Sequence, residues 1–287
     1  MHSDVNLDLV TMVASDGEWV EGALYTPTDG FPKERTSVVL IHGSFGNFYT
    51  GVPRTLAAPL AKLGYPSLAI NTRYHDYFEM DMIFEEEAKD IQAAVEFLHK
   101  KGSPGIVLLG HSRGVSRVVY YASSTKDALV TGLILISGHA SSTKRFKQLW
   151  GRYDAERFLK FAKGKALTDP YYIVTLTGKG ERVMSKIEWY NPKMPVIVTR
   201  PSMTARSLVD RLGPDGKSDA IKYVKNIQVP ILIVQGSEDE IVRPWETEKL
   251  KTANTTSERV CIKGAGHYFK GHEKELIEVV AGWLGRV

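Results

Sequence analysis

The 287-residue sequence has one cysteine, Cys261. A single thiol makes neither an intramolecular disulfide nor a cysteine zinc cluster, which excludes disulfide-stapled scaffolds and zinc ribbons. It fits a reducing compartment. Long apolar runs are also lacking. Stretches such as Leu133–Ile136 fall far short of the roughly 18 residues of a membrane helix. Met1-His2-Ser3-Asp4 lacks the basic-then-apolar design of a secretory leader. These features lead to the expectation of a cytoplasmic protein with no membrane span. Charge of one sign is scarce too, with 37 Lys and Arg against 33 Asp and Glu. The hydrophobic fraction of 43% with 24% charged residues is a globular balance that excludes disordered and collagen-like classes. No internal repeat or low-complexity segment interrupts the chain. At roughly 150 residues per domain, the length suggests about two domains, or one large sheet with an insertion.

The charge is uneven. Residues 141–226 hold 18 Lys and Arg against 8 Asp and Glu. This points to a distinct unit whose basic side either faces solvent or meets an anionic substrate or partner. No recognised nucleic-acid-binding module accompanies it, so no nucleic-acid partner is expected.

Residues 5–13 and 18–26 alternate around Ser15-Asp16-Gly17 and read as an antiparallel hairpin. Short apolar runs then alternate with amphipathic stretches. Strands are expected at Ser37–Ile41, Pro66–Ile70, Gly105–Leu109, Leu129–Ile136, Ile231–Val234 and Arg259–Ile262. Helices are expected at Pro53–Leu63, Phe84–Lys101, Val115–Ala122, Ser218–Lys225, Glu246–Thr252 and Lys274–Leu284. Such alternation argues for a mostly parallel sheet covered by helices on both faces. Between 141 and 216 the rhythm breaks. Arg145–Lys163 reads there as one amphipathic helix, and the segment is too long for a structureless loop.

Gly110-His111-Ser112-Arg113-Gly114 carries the strongest chemical signal. It follows an expected strand and precedes an expected helix, the context of a nucleophile elbow. The glycines suit a turn so sharp that side chains beside it would clash. A serine hydroxyl needs a base at neutral pH. His267, in Gly264-Ala265-Gly266-His267-Tyr268, follows the last expected strand and is the candidate. His42 and His111 belong to glycine turns, His99 and His272 to helix ends, and His2 to the terminus. His75 and His139 both follow strands, and are candidate substrate contacts. The base needs an orienting acid. Asp239, in Gln235-Gly236-Ser237-Glu238-Asp239-Glu240, is favoured over its acidic neighbours because a short side chain suits a fixed loop position. Donors for a developing oxyanion are expected from the backbone N–H of Ser44 or Phe45, after Ile41-His42-Gly43, and of Arg113.

Taken in order, the His42-Gly43 strand exit, the Gly110–Gly114 elbow, the Val229–Gly236 strand with its acid and the Gly266-His267 loop resemble the α/β-hydrolase superfamily. The resemblance covers nearly the whole chain apart from 141–216, which stands where that family inserts a cap or lid. It implies an α/β-hydrolase core over 1–140 and 217–287 and a helical cap insertion over 141–216. It further implies a cofactor-independent, metal-free serine hydrolase resembling esterases and lipases, acting on a small-molecule ester through Ser112, His267 and Asp239. Serine at the elbow sets the chain apart from relatives with aspartate there. Arg113 departs from the uncharged residue that many relatives carry. It is expected to pair with an acid inside the sheet or to attract an anionic substrate. Arg73 and Asp76 are expected to brace their loop as an ion pair or to contact the pocket. Aromatic residues of the insertion, from Phe146 to Tyr190, are expected to wall an apolar group or to form the insertion's own core. The same three residues would serve on a thioester, amide or peptide, lactone or carbon–carbon bond. A catalytically inactive binding protein of this fold is the remaining alternative. Oligomeric state is not legible.

Overall fold

The structure is a computed structural model, and it describes residues 5–178 and 202–287. By the density of its contacts the chain divides into two compact units. One comprises Met1–Glu79, Glu85–Ala140 and Ala220–Val287, and the other comprises Met80–Phe84 and Ser141–Asp219.

The first unit is built on an eight-stranded sheet. Its strands are β1 (Val5–Val13), β2 (Trp19–Pro27), β3 (Ser37–Ile41), β4 (Ser67–Ile70), β5 (Ile106–His111), β6 (Val130–Ile136), β9 (Ile231–Gly236) and β10 (Glu258–Ile262). They lie in the order β1-β2-β4-β3-β5-β6-β9-β10. β1 and β2 form the expected hairpin, and β2 joins β4 antiparallel. All other pairings are parallel.

The central strands, β3 to β6 and β9, are almost wholly buried because helices cover both faces. α1 (Gly51–Lys62), α2 (Phe84–Lys100), α3 (Arg113–Thr125), α7 (Ala220–Val224), α8 (Pro244–Ala253) and α9 (Glu273–Leu284) supply them. All five residues of β3 are buried. The period-2 pleat then sorts them into two cores. Val39 and Ile41 join Leu108, Leu135 and Ile233 against Ile91, Val95 and Leu98 of α2 and Val118 of α3. Val38 and Leu40 join Leu109, Ile134 and Val234 against Leu56 and Leu60 of α1 and Val280 and Trp283 of α9. Because the central strands are parallel, the turns after β3, β5, β6, β9 and β10 all leave at one edge. Chain order reverses there between β3 and β5, which is where open α/β sheets bind ligands.

The second unit contains α4 (Ser142–Trp150), α5 (Arg152–Ala166), a short antiparallel pair, β7 (Ile173–Thr175) with β8 (Ser202–Thr204), and α6 (Ala205–Leu212). The single helix expected over Arg145–Lys163 is two. Gly151 breaks it at φ +85°, a conformation open to glycine. Phe146, Trp150 and Phe158 form this unit's own core with Val174, Leu208 and Leu212. Tyr153, Phe161, Tyr171 and Tyr172 are exposed, while Trp189 and Tyr190 lie outside the described residues. Residues 80–84 belong here for a reason invisible in their composition: Asp81 accepts hydrogen bonds from Thr204 Oγ1 at 2.6 Å and Arg206 Nε at 2.8 Å. Cys261, expected in a buried strand, is exposed on the edge strand β10. Among the described residues, no helix is long and apolar enough to cross a membrane.

Candidate active site

Ser112 stands between β5 and α3 with φ 55° and ψ −116°. A non-glycine residue in such a conformation carries roughly 1–3 kcal/mol of strain and persists only where its surroundings enforce it. Here they do. A Cβ on Gly110 would lie 2.4 Å from the Gly114 carbonyl carbon, and one on Gly114 would lie 2.5 Å from Ile41 O. Strand, turn and helix therefore approach more closely than any side chain allows. The Ser112 N–H donates to Ile136 O at 2.8 Å, which ties the turn to β6.

Asp239 and His267 come together from the turns after β9 and β10. His267 Nδ1 lies 2.9 Å from Asp239 Oδ2, and both side chains are buried. The other carboxylate oxygen accepts the N–H groups of Ile241 at 2.9 Å and Val242 at 2.8 Å. Burial works to raise the Asp239 pKa. The hydrogen bond and charge of His267, with the Val242 N–H, outweigh it and hold the carboxyl below its ordinary range. An ionised Asp239 keeps the imidazole proton on Nδ1 and leaves Nε2 as the basic nitrogen. Glu238 and Glu240 are exposed, so burial separates Asp239 from its neighbours.

His111 performs a service that its place in a glycine turn does not reveal. Its Nε2 is 3.0 Å from the His267 backbone oxygen, and the two rings lie 4.8 Å apart. Burial, reinforced by His267, pushes the His111 pKa down to about 3. The ring is therefore neutral near pH 7, with its proton on Nε2 for donation to that carbonyl.

The turn after β3 lies beside Ser112: a Cβ on Gly43 would be 3.1 Å from Ser112 Cβ. Of the two N–H groups expected there as oxyanion donors, that of Phe45 donates to Glu79 Oε2 at 2.6 Å. That amide already has a carboxylate acceptor, and the Arg113 N–H opens α3 and so has no acceptor within its own helix. The Arg113 side chain pairs with Glu79 Oε1 at 2.7 Å, and its Nε is also 2.8 Å from Ser44 Oγ. Its acid comes from the short 3-10 turn Asp76–Asp81 and not from the sheet.

Below this layer, Arg117 is buried with its Nε 2.9 Å from Glu87 Oε2, and its Nη1 donates to His42 O at 3.0 Å. Thr72 Oγ1 donates to the other Glu87 oxygen at 2.7 Å. Arg73 pairs with Asp90 at 2.7 Å and Asp16 at 2.8 Å, not with Asp76. Asp76 instead receives His75 Nδ1 at 2.8 Å and the Asn47 amide at 3.1 Å. The His75 imidazole is thus engaged on its own turn, and His139 is half-buried after β6. Neither is brought into the Asp239–His267 contact. Glu79, Glu87, Arg117 and His111 were not singled out by sequence reasoning. The available signal was charge on an apolar helical face: Glu87 is four residues before buried Ile91, and Arg117 four before buried Tyr121. Among the described residues, no group of His, Cys, Asp and Glu is arranged to hold a metal.

Comparison with known proteins agrees with this architecture. The bifunctional esterase/perhydrolase DCH of Acinetobacter calcoaceticus is 24% identical over 193 residues, covering 64% of this chain and 64% of that relative. The match thus spans less than two thirds of the relative's length. Est1E from Butyrivibrio proteoclasticus superposes with a TM-score of 0.67 at 18% identity, covering 97% of this chain and 98% of its own. GrgF from Penicillium sp. sh18, an alpha/beta hydrolase, gives a TM-score of 0.74 at 15% identity over 98% of each chain. At such identities the structural likeness is one of fold. A model of the alpha/beta hydrolase fold matches residues 36–271, most of the sequence, and the chain belongs to that family.

Proposed function

We propose that the protein is a serine hydrolase that cleaves a small-molecule carboxylic ester. The observation that carries this reading is the buried 2.9 Å contact between His267 Nδ1 and Asp239 Oδ2 at the sheet edge that also bears the strained Ser112. The esterase activity named for the Acinetobacter relative favours an ester over other acyl bonds.

In this mechanism His267 Nε2 takes the Ser112 hydroxyl proton as Oγ attacks the ester carbonyl. The carbonyl π pair moves onto oxygen, where the N–H groups of Ser44 and Arg113 receive the charge. Asp239 keeps the imidazole in the required tautomer and stabilises the imidazolium. Collapse of the tetrahedral species breaks the bond to the leaving alkoxide, which takes the proton from His267. Water, deprotonated by His267, then attacks the acyl-enzyme, and Ser112 recovers its proton as the acid departs. No cofactor takes part. In this reading residues 141–216 are the cap insertion.

Labelling with a fluorophosphonate, alongside hydrolysis of p-nitrophenyl acetate and octanoate, tests the proposal. Wild type is expected to label and to turn over at least one ester. Ser112→Ala is expected to lose labelling and at least about 10⁴-fold in kcat/KM while keeping its circular dichroism spectrum. Undiminished hydrolysis by Ser112→Ala would overturn the mechanism. Labelling without turnover of either ester would retain the nucleophile and redirect the bond to thioester, amide, lactone or carbon–carbon.

A further inference from the structure

We infer that Glu79 is a positioning residue for oxyanion stabilisation, acting through the Ser44–Phe45 peptide and the Arg113 guanidinium. This rests on the reading of Ser112 as nucleophile.

Glu79 sits in a surface turn beside Tyr77 and Phe78, which are 64% and 67% exposed, yet its own exposure is 1%. A buried carboxylate is costly unless paired and hydrogen-bonded. Its partners are two segments on either side of the nucleophile. Oε2 accepts the Phe45 N–H from the turn after β3, and Oε1 meets Arg113, the residue directly after Ser112. The Phe45 N–H lies in the plane of the Ser44–Phe45 peptide, so the carboxylate fixes that peptide, and the Ser44 N–H, which belongs to the adjoining Gly43–Ser44 peptide, is restrained through Ser44 itself. Phe45 has φ 51°, which a bulky side chain rarely adopts, so something must hold it there. At its other end Ser44 is held through its hydroxyl by Arg113 Nε at 2.8 Å. The turn is docked a second time, by the Asp76 N–H donating to Gly46 O at 3.0 Å. Glu79 therefore ties the loop that carries one oxyanion donor to the helix start that carries the other. A generic surface brace would have no reason to join these two segments.

The consequence is kinetic. Both acylation and deacylation pass through an oxyanion, so letting Ser44 shift, and with it the N–H of the Gly43–Ser44 peptide, lowers kcat whichever of the two steps limits it. Loss of a single oxyanion donor costs about 10²–10³-fold in rate, and a displaced donor costs part of that. Substrate binding is governed elsewhere, so KM is expected to change little.

The experiment compares wild type, Glu79→Gln and Glu79→Ala on a p-nitrophenyl ester that the wild type hydrolyses. Active sites are counted by fluorophosphonate titration to completion. Turnover is expressed per titrated site, which separates a slowed site from a smaller number of folded molecules. Glu79→Ala is expected to lose about 30- to 100-fold in kcat per site with KM within about threefold. Glu79→Gln keeps an acceptor for Phe45 but not the charge for Arg113, and is expected to lose about fivefold to tenfold. Should Glu79→Ala fail to fold, Glu79→Gln alone decides. Unchanged kcat per site in the folded variants, with only fewer titratable sites or a lower Tm, would overturn the proposal and leave Glu79 a structural brace. Absence of Ser112-dependent labelling in the wild type is a separate result, which removes the nucleophile and this inference with it.

Discussion

Two buried histidines, His42 and His111, stand on the turns beside Ser112. His42 is buried beneath the turn after β3, where burial and then the Arg117 charge push its pKa down to about 3. His111 is pushed down to about 3 by burial and His267. Both lie below the 6.5 of a free imidazole, so the folded state keeps them neutral where the unfolded chain binds protons. Their contribution to stability is complete above pH 6.5 and is lost as pH falls from there towards 3. Each adds about 1.4 kcal/mol per pH unit to the slope over that range. Asp239 acts in the same direction at lower pH, since its depressed pKa stabilises the fold above the unfolded value and fails as pH drops through the folded one. The histidines therefore pull the urea midpoint down between pH 6.5 and 4.5, against the opposite pull of Asp90 and Glu87, whose carboxyl pKa values burial raises. His111→Gln should remove about half of the imidazole contribution to that slope, and an unaltered slope would contradict the assignment.

The β5–turn–α3 unit shows how a site is made from close approach and not from side chains alone. Gly114 faces the β3 backbone, where an added Cβ would meet Ile41 O at 2.5 Å and His42 O at 2.8 Å. Both obstacles are backbone, so the helix start must move. Gly114→Ala is expected to cost about 1–3 kcal/mol by overpacking. It should also lower ester turnover per site, because Ser112, Arg113 and the turn after β3 shift together. Gly151 provides the contrast. It also needs a positive φ, yet has nothing within 4 Å of an added Cβ, so Gly151→Ala carries only backbone strain of about 1–3 kcal/mol and no steric clash with a neighbour. Chemical denaturation and ester kinetics on Gly114→Ala test this reasoning; wild-type turnover per site in that variant would refute it.

The sheet is covered on both faces at its centre but not at its β1 edge. β1 ends the strand order, and Leu7, Leu9 and Val13 on one of its faces are exposed, with Trp19 beside Val13 on β2. Leu9 alone is 76% exposed. An apolar stripe on an unpaired edge invites association between molecules. Leu9→Lys is expected to reduce concentration-dependent light scattering with Tm within about 2 °C of wild type, since little burial is lost. Equal scattering in the variant would show that this edge is not adhesive. Net charge gives weak protection against such contact, being only +4 over 287 residues.

Local pattern alone determined the alternation of apolar strands and amphipathic helices, the antiparallel opening hairpin and the elbow at Ser112. Period 2 and period 3.6 are read over a few residues, and a glycine turn between strand and helix announces itself. Asp239 and His267 were legible as residues that follow strands, because parallel strands deliver their exits to one edge. Tertiary structure decided what those exits meet. The partners of Arg113 and Arg73 are carboxylates distant in sequence, and no local pattern distinguishes Asp76 from Asp90 as the mate of Arg73. The Phe45 amide is held by an acid in another turn, a partner its sequence context does not announce. Cys261 reads as buried from its apolar neighbours, but β10 is an edge, and edge position belongs to strand order. Spacing along the chain encodes which face a residue shares with its neighbours; which distant charge faces it is settled only when the sheet closes its order.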